Sequence, residues 1–143
     1  MNGRDFLAAA RRQATGGEEA DWRSAASRAY YAAFHVAREL LASLRFVTPR
    51  ADRAHEYLYR RLNNCGLGPV VSAAKILHDL RQTRNWADYD LHVSFPANLG
   101  TDSVAVAEIF IQALDVLTPA ERTQITVAMR AYEQQIGDVT WKP

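Results

Sequence analysis

Between Ser24 and Leu44 the chain reads SAASRAYYAAFHVARELLASL, free of glycine and proline and rich in alanine and leucine, the strongest helix formers. At about 100° per residue on a helical wheel, its alanines, Val36, Leu40, Leu44, Tyr30, Leu41 and Phe34 fill a continuous arc of about 200°. A surface helix needs only about half that arc to sit on a core. The pattern therefore predicts a central helix with neighbours on several sides. Ser24, Ser27, Arg28, Tyr31, His35 and Arg38 occupy the remaining arc as a polar line along one edge. Small alanines beside a polar line suggest a cleft.

The same reading places the other elements. Asp5 to Ala14 is a short helix with Phe6, Leu7 and Ala10 inward, stopped by Gly16-Gly17, and Asp21 is an N-cap for the central helix. Thr48-Pro49 opens a helix to about Asn63, in which Arg50, Arg53, Arg60 and Arg61 form the most basic segment and Asp52 and Glu56 interleave. A long helix runs from about Val70 to Tyr89 or slightly beyond. His92 to Gly100 reads as a loop, after which Thr101 or Asp102 caps a helix to Leu117, with Val104, Ala107, Ile109, Phe110 and Leu114 as buried candidates. Thr118-Pro119-Ala120-Glu121 is a capping box that starts a last helix, ended by Gly137. Five or six helices without strands predict an all-α, up-and-down bundle. One domain over residues 1–143 is expected, with its core at about 5–136 and a tail over 137–143.

Composition narrows the function classes. Across 143 residues the net charge is +1, so no global field draws the chain to nucleic acid or to an anionic membrane, and any basic surface is local. A lone cysteine, Cys65, excludes an internal disulfide and fits a reducing compartment. No apolar run reaches membrane-spanning length, and MNGRDFLAAARR lacks a signal peptide's apolar stretch, so a cytoplasmic protein is expected. No histidine spacing suggests a metal site, and no cofactor is expected.

Chemistry concentrates in the stretch from Leu80 to His92. With Arg81 at zero, Arg84, Asp88, His92 and Asn85 fall at about 300°, 340°, 20° and 40° on the wheel. One face thus gathers two guanidiniums, a carboxylate, an amide and, if the helix extends so far, an imidazole. Arg81–Asn85 and Arg84–Asp88 have the i,i+4 spacing at which side chains meet. A solvated edge with one ion pair is the plain account of such a face.

The segment Ser27-Arg28-Ala29-Tyr30-Tyr31-Ala32-Ala33-Phe34-His35, followed by Arg84-Asn85-Trp86-Ala87-Asp88-Tyr89, resembles the HEPN domain (higher eukaryotes and prokaryotes nucleotide-binding) over roughly Phe6 to Ile136. The resemblance implies a helical bundle that forms a homodimer, with the Arg-containing motifs facing each other across a cleft. It further implies RNA or nucleotide as ligand. Many members are metal-independent endoribonucleases of toxin–antitoxin or phage-defence systems, and others are non-catalytic modules that bind RNA or partners such as a minimal nucleotidyltransferase. The family's catalytic signature is Arg, often a polar residue, then His after four to six residues. Arg84-Asn85 matches the opening; Tyr89 stands at the shortest histidine position and His92 falls one residue beyond the longest, as in the RNxADY variant.

Cleaving RNA without metal needs a base, an acid and positive charge on the phosphorane. Arg84, with Asn85 beside it, supplies the charge; His92 or His35 is the titrating group. Arg28, Tyr31, Arg81, Asp88 and Tyr89 are the expected ligand-binding residues. His35 bonded to a buried carbonyl, and Trp22 and Trp86 packed in an interface, are the plain alternatives. His55 and His78 lie off both polar lines. A homodimeric ribonuclease, a non-catalytic HEPN binding module and a generic helical oligomerisation domain all remain open at this stage.

Overall fold

The computed structural model describes residues 1–143 as six helices: α1 (Gly3–Ala14), α2 (Glu19–Ser43), α3 (Arg53–Asn63), α4 (Gly68–Tyr89), α5 (Ala97–Asp115) and α6 (Pro119–Ile136). There is no strand, only a single antiparallel bridge between Phe46 and Trp141. The fold is the all-α bundle that the hydrophobic periodicity predicts.

Helix α2 is central, packing on α1, α4 and α5 and more lightly on α3. Its alanines explain why. Ala25, Ala29, Ala32, Ala33 and Ala37 are fully buried, and their small side chains let three helix axes approach, while Tyr30 and Leu41 fill the gaps. Full burial of a large apolar side chain contributes about 1.5–3 kcal/mol, and Leu58, Leu62, Leu77, Phe110, Ile125 and Met129 are all fully buried in the same core. A smaller core of Ala26, Ala87 and Phe95, with Trp22, Trp86 and Leu99 against it, closes the end where α2 begins and α4 stops.

Several boundaries differ from the sequence expectation, each for a local reason. Asp21 is not the N-cap of α2; it sits one turn inside and accepts from the Glu18 backbone N–H at 3.2 Å. Helix α3 starts at Arg53, four residues after Pro49, because Ala51 takes the left-handed conformation at φ 58° and breaks the first turn. Helix α5 starts a turn early, behind Pro96, and runs through Gly100. A Cβ at Gly100 would lie 3.2 Å from the Trp22 backbone, so this glycine serves helix packing and not helix termination. Ile109 is 58 % exposed instead of buried, and Phe6 is only half-buried. The α6 capping box forms as the sequence indicates, with Glu121 N–H donating to Thr118 Oγ1 at 3.1 Å and Thr118 N–H to Glu121 Oε1 at 3.0 Å.

A buried arginine locks the C-terminal end of the chain to this bundle. Arg61 on α3 donates to Glu133 on α6 from Nε and Nη2 at 3.2 and 3.1 Å, and both side chains are essentially inaccessible. Glu133 Oε1 also accepts from the backbone N–H groups of Thr140 and Trp141 at 3.0 Å each, which pins residues 137–143 against the bundle. Arg61 is thus drawn out of the basic segment into the interior.

Candidate functional site

The polar lines of α2 and α4 meet. Arg84 Nη2 donates to the Tyr31 hydroxyl at 2.7 Å, and Ser27 Oγ donates to Asp88 Oδ2 at 3.1 Å. Two contacts one helical turn apart on each helix zip the faces together, which is the arrangement the wheel readings require.

Arg84 is held on every side, and its side chain is only 13 % exposed. Nη1 donates to Asn85 Oδ1 at 3.0 Å, and Nη2 also reaches the Tyr89 hydroxyl at 3.3 Å. The guanidinium lies between two rings, 5.1 Å from the Tyr31 centroid and 5.2 Å from that of Tyr89. Its Nε is 2.9 Å from Asp88 Oδ2, but the approach is too bent for a hydrogen bond, so that pair is purely electrostatic and the Nε hydrogen has no acceptor. Of five guanidinium hydrogens, one on Nη1 remains free, while the unpaired Nε hydrogen is buried against Asp88. Such a group is positioned in advance and still has a donor to offer an anion.

Arg81 does not meet Asn85 at the i,i+4 spacing. It turns to α3, where Nη1 lies 3.4 Å from Glu56 Oε2, and Asn85 serves Arg84 instead. Arg28 is exposed and rests over the Phe6 ring at 5.4 Å. His35 stacks on Phe6 at 5.4 Å between centroids and also lies 6.3 Å from the Tyr31 ring. His92 is not brought to the cleft. The helix ends at Tyr89, and His92 is exposed in the following turn.

Arg23 causes that ending. It is buried, and its Nη1 donates to the carbonyls of Trp86 and Ala87 at 3.1 and 2.9 Å while Nη2 donates to those of Asp90, at 3.2 Å, and Val93. A cation that satisfies the last carbonyls of a helix stops it and fixes the chain beyond it. Trp86 goes into the small core at this end, edge-on to Phe95 at 5.2 Å, and not to an outer face.

The residue that sequence reasoning misses is His55. It lies on α3, off both polar lines, yet its Nδ1 is 2.5 Å from the Tyr30 hydroxyl and its ring is 6.3 Å from that of Tyr31. Tyr30 is buried and has no other partner, so its hydroxyl donates to Nδ1 and the neutral ring carries its proton on Nε2. Burial first, then Arg81 and Arg84, pull the His55 pKa below its ordinary value of 6.5, with Asp52 opposing. His35 is lowered too, by burial and then Arg38, with Glu39 opposing. Burial raises the Tyr30 hydroxyl, which stays protonated, and also the thiol of buried Cys65, which is not a nucleophile.

No group of three histidine, cysteine, aspartate or glutamate side chains is placed to hold a metal ion. No single helix is long and apolar enough to cross a membrane.

The family model of the HEPN domain matches residues 2–117, which takes in α1 to α5 and so both halves of this cleft. The chain belongs to the HEPN family. No curated protein and no solved structure matches it. In this HEPN protein α6 and the pinned tail lie beyond the matched span, and they contribute the Glu133 network and none of the residues around Arg84.

The two lowered histidines give the HEPN bundle a defined pH dependence. Both bind a proton less readily folded than unfolded, so their contribution to stability is complete above about pH 6.5 and is lost as the pH falls through and below that value. The urea midpoint should therefore decline from about pH 7.5 to about pH 5.5. His55→Gln, which keeps an acceptor for Tyr30, should flatten that decline; an unchanged slope would contradict the assignment.

Proposed function

We propose that this HEPN protein is an RNA-binding module that seats a phosphodiester of single-stranded RNA on Arg84, in a cleft completed by a second copy of the chain. The observation that carries this reading is the clamped guanidinium between Tyr31 and Tyr89 in the α2–α4 seam, with one Nη1 hydrogen left unpaired. Guanidinium geometry suits a phosphate bidentately, and flanking aromatic rings suit the bases on either side of it. Tyr89, Leu91 and Val93, respectively 67 %, 71 % and 43 % exposed, lie at the end of α4 and in the turn beyond it, apolar surface that a second copy would cover.

Binding without cleavage is favoured because no histidine is arranged as the missing base. His92 stands in the turn beyond α4, His35 is stacked on Phe6, and His55 presents an N–H instead of a lone pair. Metal-independent cleavage, as by a toxin or defence effector, is the second reading, favoured by the Arg84-Asn85 pair alone.

Fluorescence anisotropy with labelled single-stranded RNA in the presence of chelator separates the two. Arg84→Ala should lower affinity about 10-fold or more and reduce the salt slope by about one. The RNA should be recovered intact. Equal binding by Arg84→Ala would overturn the reading, and Arg84-dependent cleavage would replace it with the second.

A further inference from the structure

We infer that a groove between α2 and the segment entering α3 is a base-selective subsite that takes a guanine of the bound RNA strand. The groove, of about 580 Å³, is lined by Tyr31, Phe34 and His55 as an aromatic wall, by Arg38 and Arg50, and by Asp52. That volume falls in the range of roughly 300–1,000 Å³ typical of small-ligand sites. The inference rests on the RNA-binding reading and adds to it which base is read, and by which groups.

Tyr31 joins the two places. Its hydroxyl accepts from Arg84 while its ring walls the groove, so a phosphate on Arg84 sits beside a base in the groove. The wall is continuous, with the Phe34 and His55 centroids 4.9 Å apart and those of Tyr31 and Phe34 5.9 Å apart. Unstacked bases of single-stranded RNA are bound on such surfaces, with their Watson–Crick edges left to be read by polar groups.

The polar groups present select among the bases. Asp52 is the N-cap of α3, yet its carboxylate makes no capping bond and no ion pair. It is held at the groove by the left-handed Ala51, a conformation that costs a non-glycine residue energy and so marks a constrained loop. A carboxylate accepts two parallel N–H donors, and guanine alone among the four bases offers them, from N1 and the 2-amino group. Adenine and cytosine place a ring acceptor next to their amino group, and uracil flanks its single N–H with carbonyls. His55 adds a donor, the Nε2–H fixed by Tyr30, suited to the guanine O6. Arg38 and Arg50 have no carboxylate partner and remain available for the adjacent phosphates.

The test compares short uridine oligonucleotides that carry one central guanosine, inosine, adenosine or no substitution, by fluorescence anisotropy with the full chain. Guanosine should bind about tenfold tighter than uridine alone, and inosine, which lacks the 2-amino group, should lose most of that gain. Asp52→Asn, isosteric and still a competent N-cap, should erase the preference, so that the guanosine and all-uridine strands bind this variant equally. Free guanosine monophosphate should compete far less well than the guanosine oligonucleotide; equal competition would mean a free-nucleotide site and overturn the strand assignment. Equal affinity for all four strands, or a preference that survives Asp52→Asn, would overturn the subsite and leave the Arg84 reading standing. If no oligonucleotide binds, both fall together.

Discussion

Glu133→Ala should lower the stability of the fold by about 3–5 kcal/mol, the range for breaking a buried ion pair from one side. Glu133 is 1 % and Arg61 2 % exposed, so neither charge has water to fall back on. Without the carboxylate, the Arg61 guanidinium keeps only Asp138, at 3.0 Å and half in solvent. The N–H groups of Thr140 and Trp141 lose their acceptor, and the Thr140 hydroxyl, which receives the Tyr57 proton at 2.5 Å, loses its own. The tail would then detach, and with it Trp141, which stacks on Arg130 at 3.7 Å and donates to the Leu44 carbonyl at 3.0 Å. Urea denaturation measures the loss. Arg61→Met combined with Glu133→Leu should recover most of it, because two apolar side chains leave no orphaned charge. A single-variant loss below about 1 kcal/mol would mean the pair is hydrated in solution.

The second large effect belongs to Arg23→Met, which should cost on the order of 3 kcal/mol and also loosen a site it never touches. The carbonyls of Ala87 and Val93 lose their donor, those of Trp86 and Asp90 keep only a backbone N–H, and Glu19 loses the cation it meets at 2.8 Å. Methionine fills the space but donates nothing, so the helix end should fray. Hydrogen exchange should rise over Asn85 to Val93 and stay unchanged in α6. RNA affinity should fall as well, since Asn85, Asp88 and Tyr89, which hold Arg84, sit on that last turn. Lysine should not rescue, because a single ammonium cannot reach carbonyls spread over such an arc. Unaltered exchange at the end of α4 would show that Arg23 does not set it.

Much of this molecule was readable before folding. The alanine-rich arc of α2 identified the central helix, and the wheels identified the two polar lines, because helical period alone decides which side chains share a face. Contacts between separate elements were not readable. His55 follows from where α3 lands, and nothing in its own neighbourhood on the chain points to Tyr30, 25 positions earlier. The partners of Arg23 and Arg61 were not readable, since burial of a cation depends on acceptors supplied from 63 and 72 positions away. His92 fell on the α4 face only if the helix ran past Tyr89, and Arg23, not a local breaker, sets the end there. Helix α5 started early for a similar reason, as Gly100 reads as a breaker until Trp22 is seen against it.

An NMR titration of the isotope-labelled protein with a short single-stranded RNA tests the central claim most directly, by following backbone amides together with the arginine Nε–H signals. The account predicts that the Arg84 Nε–H, which has no acceptor in the free protein, moves most, along with Ser27, Tyr31 and Asn85. Shifts confined to the outer face of α3, around Arg53 and Arg60, with Arg84 unmoved, would contradict it.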